Sequence, residues 1–93
     1  MRDVKWTDEA TGQLLHIIGW LAERNSEAAE LLLLRIERLI AIAAESPALF
    51  RCGRVAGTRE IIAHANYIIV FRSMNPGIEI LAILHARQAW PAG

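Results

Sequence analysis

The chain contains a single cysteine, Cys52, so it can form neither an internal disulfide nor a cysteine-based zinc site. Lysine is equally scarce: Lys5 stands alone, and every other cation is arginine. There is one tyrosine, Tyr67, and no tyrosine near the C-terminus. Glycine and proline are few, while 54% of residues are hydrophobic, which separates this composition from disordered and low-complexity chains. The apolar runs, such as 31–34 and 80–84, fall far short of the ~20 residues a membrane span needs. Residues 1–5 are polar and no apolar stretch follows before Asp8, so no secretory signal is read. The expectation is a soluble, cytoplasmic protein folded as one domain over 1–93, with no cofactor and no metal.

Charge is balanced in total and unbalanced along the chain. The formal net charge is zero. Residues 1–50 carry five cations against eight anions, and residues 51–93 carry five arginines against two glutamates. Arginine is suited to bidentate contact with carboxylate or phosphate, so the C-terminal half reads as a surface for a specific anionic partner. A general nucleic-acid binder would be basic overall.

Residues 4–6 alternate apolar and polar and can add a strand to a later sheet. Thr7 reads as a helix N-cap, with Asp8 and Glu9 at the positive helix end. Ala10, Leu14, Ile17, Ile18 and Leu21 follow at helical spacing, and Arg24-Asn25 marks the stop. Gly12 and Gly19 lie inside that pattern at a cost of about 1 kcal/mol each, which points to a closely packed neighbour. Ser26 is read as the cap of a second helix. Its inward stripe is Ala29, Leu32, Leu33, Ile36, Ile40 and Ala43, and Ser46-Pro47 ends it. A link this short between the helices implies an antiparallel hairpin.

Residues 48–56 read as a loop. Three strands then follow at about 58–64, 67–72 and 78–85, rich in Ile, Val, Tyr and Phe and separated by Ala65-Asn66 and by Met74-Asn75-Pro76-Gly77. Such short links make the strands antiparallel. The last is apolar on both faces, which places it centrally. The order is β-α-α-β-β-β, an α+β fold in which a helical hairpin covers one face of a small, mainly antiparallel twisted sheet.

These motifs resemble the RelE/ParE superfamily of bacterial toxin-antitoxin toxins. The resemblance rests on Trp6-Thr7-x-x-Ala10, Ser26-x-x-Ala29 and Ser46-Pro47 in the helical half. In the sheet it rests on Gly57-Thr58-Arg59-Glu60, on residues 66–72 from Asn66 through Tyr67 to Arg72, and on Ile80-Leu81-x-Ile83-Leu84-His85-x-Arg87. It implies a small cytoplasmic toxin neutralised by a cognate antitoxin, which alone would bring it to operator DNA. It also implies one of two actions: inhibition of DNA gyrase, as in ParE-like members, or cleavage of mRNA on the ribosome, as in RelE-like members.

The residues themselves weigh these actions differently. Cleavage through a 2′-hydroxyl needs proton transfer and cations for the phosphate. Arg59, Arg72 and Arg87 can supply the cations and His85 the proton step. Against this stand the lone lysine, the missing C-terminal tyrosine and the neutral net charge, since phosphate contacts dominate nucleic-acid affinity. The gyrase reading is therefore preferred, with Arg59, Arg72, His85, Arg87 and Trp90 as a cationic and aromatic target surface at one end of the sheet. Trp20, Leu31 and Leu34 are expected to anchor the antitoxin. A third reading is a degenerate toxin kept as a binding or co-repressor module. His16 and His64 read as surface residues and Cys52 as an inert thiol.

Overall fold

A computed structural model describes residues 3–91. The chain begins with β1 (Val4–Trp6) and passes through Thr7 into α1 (Asp8–Arg24). Thr7 caps that helix, its Oγ1 accepting from the Ala10 amide at 3.1 Å. One residue later comes α2 (Ser26–Glu45). Its cap is Asn25 and not Ser26: Asn25 Oδ1 accepts from Ala28 N at 3.0 Å, while the Asn25 amide donates to Leu21 O. One residue closes α1 and opens α2, because an asparagine in extended conformation offers both a donor and an acceptor to the turn.

A 3-10 turn (Pro47–Leu49) leads to β2 (Arg51–Cys52), a two-residue edge strand inside the segment expected to be only loop. Then come β3 (Arg59–His64), β4 (Tyr67–Ser73) and β5 (Ile78–His85). The sheet order is β1-β5-β4-β3-β2, antiparallel except for the parallel pair β1–β5. Strand β5 is interior, as its two apolar faces require, but β4 holds the centre. The fold class is α+β, with the helical hairpin on one face.

The main core lies between that hairpin and the sheet. Ile36, Ile40 and Ala43 of α2 meet Ile61, Ile69, Phe71, Ile80 and Ile83, with Leu14, Ile17, Ile18 and Leu21 of α1 packed at the margin. The α1 stripe and most of the α2 stripe read from spacing therefore face inward; Leu33 is only partly buried and lies outside this core, and Leu39, read as off the stripe, packs against it. The two α1 glycines do not mark a close neighbour: a Cβ at Gly12 or Gly19 would meet nothing within 4 Å.

A second apolar layer sits on the opposite face of the sheet. Ile68, Val70, Ala82 and Leu84 are 6% exposed or less, although among the described residues no helix packs against them. Ala86 and Trp90 of the segment following β5 pack against them. The Arg54 guanidinium donates to the Gln88 carbonyl, and Trp90 Nε1 donates to Glu9 Oε2 at 3.4 Å. Trp90→Ala is expected to uncover Val70 and Ala82 and to cost ~1–3 kcal/mol, read as lower urea tolerance with raised binding of an apolar dye. Unchanged dye binding would show that Trp90 covers nothing.

Beyond β1, the outer edge of β5 is closed by side chains in place of a strand. Thr7 Oγ1 donates to Leu81 O at 3.2 Å, Ile83 N donates to Gln13 Oε1 at 2.8 Å, and His85 N donates to Gln88 Oε1 at 3.3 Å. This satisfies backbone groups that an open edge would offer to another chain.

Candidate functional site

Of the five residues expected at one end of the sheet, Arg59, Arg72, His85 and Arg87 fall at two ends, and Trp90 packs on the face opposite the helices. Arg59 is registered with Phe71, and Arg72 with Glu79, whereas His85 is registered with Tyr67. Tyr67 and Arg72 are five residue steps apart along β4, roughly 17 Å at strand rise. Strand direction decides this: β4 runs opposite to its neighbours, so a residue at its end lies beside the starts of β3 and β5.

The arginines at that end are also engaged. Arg59 Nη1 donates to the Phe50 carbonyl at 2.7 Å. Arg72 Nε donates to Glu79 Oε1 across the β4–β5 pair, an ion pair of matched strand neighbours. Arg51 and Arg54, which sequence reading left in a loop, close on Glu60 at 2.9 and 3.0 Å. Glu60 is 5% exposed. Burial alone would raise its carboxyl pKa, but hydrogen bonds from the Arg54 side chain and amide and from Arg51 outweigh this and hold it below the ordinary value. Because the folded value is depressed, the stabilisation is fully present above the unfolded carboxyl pKa of about 4.3 and is lost as pH falls through the folded value. Glu60→Gln is expected to flatten the acid limb of a stability-versus-pH curve below about pH 4.5. An unchanged limb would remove Glu60 from the account.

The other end of the sheet holds a group that sequence reading did not assemble. The register shifts between Ile62 and His64, a bulge that sets His64 opposite Tyr67. Tyr67 is in turn opposite His85. The three rings form a row across three strands, with centroids 5.9 Å apart at each step. His64 Nδ1 accepts from Asn66 N, and His85 Nδ1 accepts from Arg87 N. His16 and Trp20 of α1 line a concave surface with Tyr67 and His85. All the histidines of the chain thus gather around its one tyrosine. The turn registers Ser73 with Ile78, which alone would set Tyr67 opposite Leu84; a second register shift, at Val70/Phe71, brings it opposite His85, and spacing gave no signal for either shift.

This concavity continues into a groove between α2 and the β3–β4 turn. Its walls include Trp20, Leu31, Leu34, Arg35, Arg38 and His64. The expected antitoxin anchors therefore do lie together. Leu31 is 60% exposed, Leu34 62% and Trp20 48%, an unusual concentration for side chains of this size. Arg24 lies over the Trp20 ring, its guanidinium carbon 3.8 Å from the centroid, and fixes that ring's orientation. Arg87 is exposed near His85, and Trp90 is half-buried on the far face. Cys52 is an exposed free thiol. Among the described residues no group of three or more His, Cys, Asp or Glu could hold a metal, and no helix is long and apolar enough to cross a membrane.

A helical hairpin over a five-stranded sheet, with a parallel first strand and an apolar groove beside α2, defines a small α+β fold. The solved structure described as the chromosomal ParDE TA system from P. aeruginosa shares it, with a TM-score of 0.75 at 21% identity over 91% of this chain and 96% of that one. A sequence model of the ParE toxin of the type II toxin-antitoxin system parDE matches residues 4–90. The Sinorhizobium fredii (strain NBRC 101917 / NGR234) protein Y4kP, named as a candidate toxin, is 36% identical over 89 residues, covering 95% of this chain and 92% of its own length. The chain belongs to the ParE toxin family of type II toxin-antitoxin systems.

Proposed function

We propose that the protein is a toxin that inhibits DNA gyrase by binding it and is neutralised by a cognate antitoxin seated in the Trp20–Leu31–Leu34 groove. The observation that carries the choice of target is the two-ended placement of the cations. A ribonuclease site would need His85 and the phosphate-holding arginines around one scissile bond. Here Arg59 and Arg72 stand roughly 13 and 17 Å along the strand from His85, and both are engaged in contacts within the fold. The arrangement favours docking over cleavage. His85, Arg87 and Trp90 are assigned to the target surface, and Arg59 and Arg72 to holding the sheet's opposite end. The similarity to a structure titled as a ParDE system supports an antitoxin partner, and contact with operator DNA then passes through that antitoxin. Action on gyrase places the protein in the cytoplasm.

The test adds the purified protein to gyrase supercoiling of a plasmid and, separately, to ribosomes translating a defined mRNA. Supercoiling is expected to fall and the mRNA to stay intact. His85→Ala and Arg87→Ala, both at exposed positions, are expected to weaken inhibition about tenfold with unfolding unchanged. Codon-specific mRNA cleavage with gyrase unaffected would overturn the proposal. Inertness in both assays would favour a degenerate binding or co-repressor module.

A further inference from the structure

We propose that the groove beside α2 selects its occupant by charge, taking an apolar helical segment that carries carboxylates, and that Arg35 and Arg38 are the residues that make this selection. The inference rests on the antitoxin reading of the groove and specifies the chemistry of the segment that fits it.

It starts from where the arginines of the fold are used. Arg51 and Arg54 are bound to Glu60, Arg72 to Glu79, and Arg59 to the Phe50 carbonyl. The sheet arginines, which looked in the sequence like the natural partners for acidic groups, are committed to holding the sheet together. Arg35 and Arg38 differ. Among the described residues neither joins an ion pair, both are exposed, and both line the groove.

Helical geometry puts them there. Ala28, Leu31, Arg35 and Arg38 recur at i, i+3, i+7 and i+10, one stripe of α2, so the apolar and cationic parts of the wall form a single surface. The carboxylates of the same helix, Glu27, Glu30, Glu37 and Glu45, are outside the lining. No Asp or Glu lines either the groove or its continuation past Tyr67 to His16 and His85. In a chain of zero net charge, a concavity lined by cations, imidazoles and apolar side chains with no carboxylate is a local asymmetry. The leucines supply affinity through apolar burial, and the two guanidiniums choose the sign of the occupant by electrostatic complementarity. A segment carrying lysines at the same positions would meet like charge.

The experiment uses the full chain and two synthetic peptides of about four helical turns. Both carry the same leucines at i, i+3, i+4 and i+7; one has glutamates at the flanking positions and the other lysines. Affinities are read by calorimetry and by Trp20 emission, with Trp20→Phe as the control for the optical signal. The glutamate peptide is expected to bind about tenfold more tightly than the lysine peptide, the gap closing as salt is raised. Arg35→Glu with Arg38→Glu, two exposed positions, should reverse the order, and Leu31→Asp should weaken both peptides.

Equal affinities, an order unchanged by the double variant, or no binding by either peptide would each overturn the inference. So would a dimer of this chain that Leu31→Asp dissolves, which would assign the groove to a second copy. Gyrase inhibition is measured without peptide, so the two conclusions fail separately. Peptide selection without gyrase inhibition leaves this inference standing, and gyrase inhibition without peptide selection removes only this one.

Discussion

Phe71→Ala is expected to lower the unfolding free energy by about 3–5 kcal/mol and the melting temperature by roughly 15–30 °C. Phe71 is fully buried at the centre of β4, in the core between helices and sheet. Its ring meets the edge of Phe50 at a centroid distance of 6.0 Å and an interplanar angle of 86°. Through Phe50 it ties the segment after α2 to the sheet, so truncation removes apolar contact and an aromatic pair together. A domain of this size has roughly 5–15 kcal/mol in total, so the loss is a large part of its margin. Leu31→Ala, at a 60% exposed position, should change stability by no more than about 0.5 kcal/mol. Urea unfolding followed by circular dichroism gives both values. A loss under about 1 kcal/mol for Phe71→Ala would place the core elsewhere.

Gly77→Ala is expected to cost about 2–5 kcal/mol and to act mainly on β1. Gly77 has φ of +89°, a left-handed conformation that strains any residue with a Cβ. A Cβ there would also overlap the Asp3 backbone. That backbone is where Ile78 N donates to Asp3 O at 3.0 Å, at the start of the β1–β5 register. The first strand must therefore move off β5 or the turn must rebuild, and amide exchange at residues 4–6 should accelerate. Gly57→Ala is the control. Its φ is +83°, but nothing lies within 4 Å of the added carbon, so it should cost only about 1–2 kcal/mol, the conformational part. Equal costs at the two glycines would mean that contact with β1 contributes nothing.

The elements were legible because their signals are local. Thr7 caps α1 by bonding an amide three residues away, and the inward stripes of both helices follow from 3.6-residue spacing alone. Ser26 was misread as a cap because Asn25 and Ser26 are both good cap residues, and the backbone of the turn chose between them. Gly12 and Gly19 misled for a related reason: an absent side chain says that space can be given up, not that a neighbour takes it. Strand β2 was missed because two residues carry no period, and its pairing with Arg59 and Glu60 is visible only in space.

The site divides along the same line. Trp20, Leu31 and Leu34 were legible as a surface because large apolar side chains off a helix stripe must either be exposed or meet something. The arginines were misplaced as a group, since their number and type were visible but their partners were not.

Composition, spacing and turn residues by themselves determined the α+β class, the helical hairpin and the antiparallel strands, because each depends on interactions within a few residues of the chain. Tertiary structure alone decided which cations are engaged and which are free. It drew Arg51 and Arg54 onto Glu60 and Arg72 onto Glu79, left Arg35 and Arg38 beside an apolar groove, and used a one-residue bulge to bring His64 into line with Tyr67 and His85. Charge pairing and strand register join residues remote in sequence, and their outcome is set by which faces and strand ends the fold brings together.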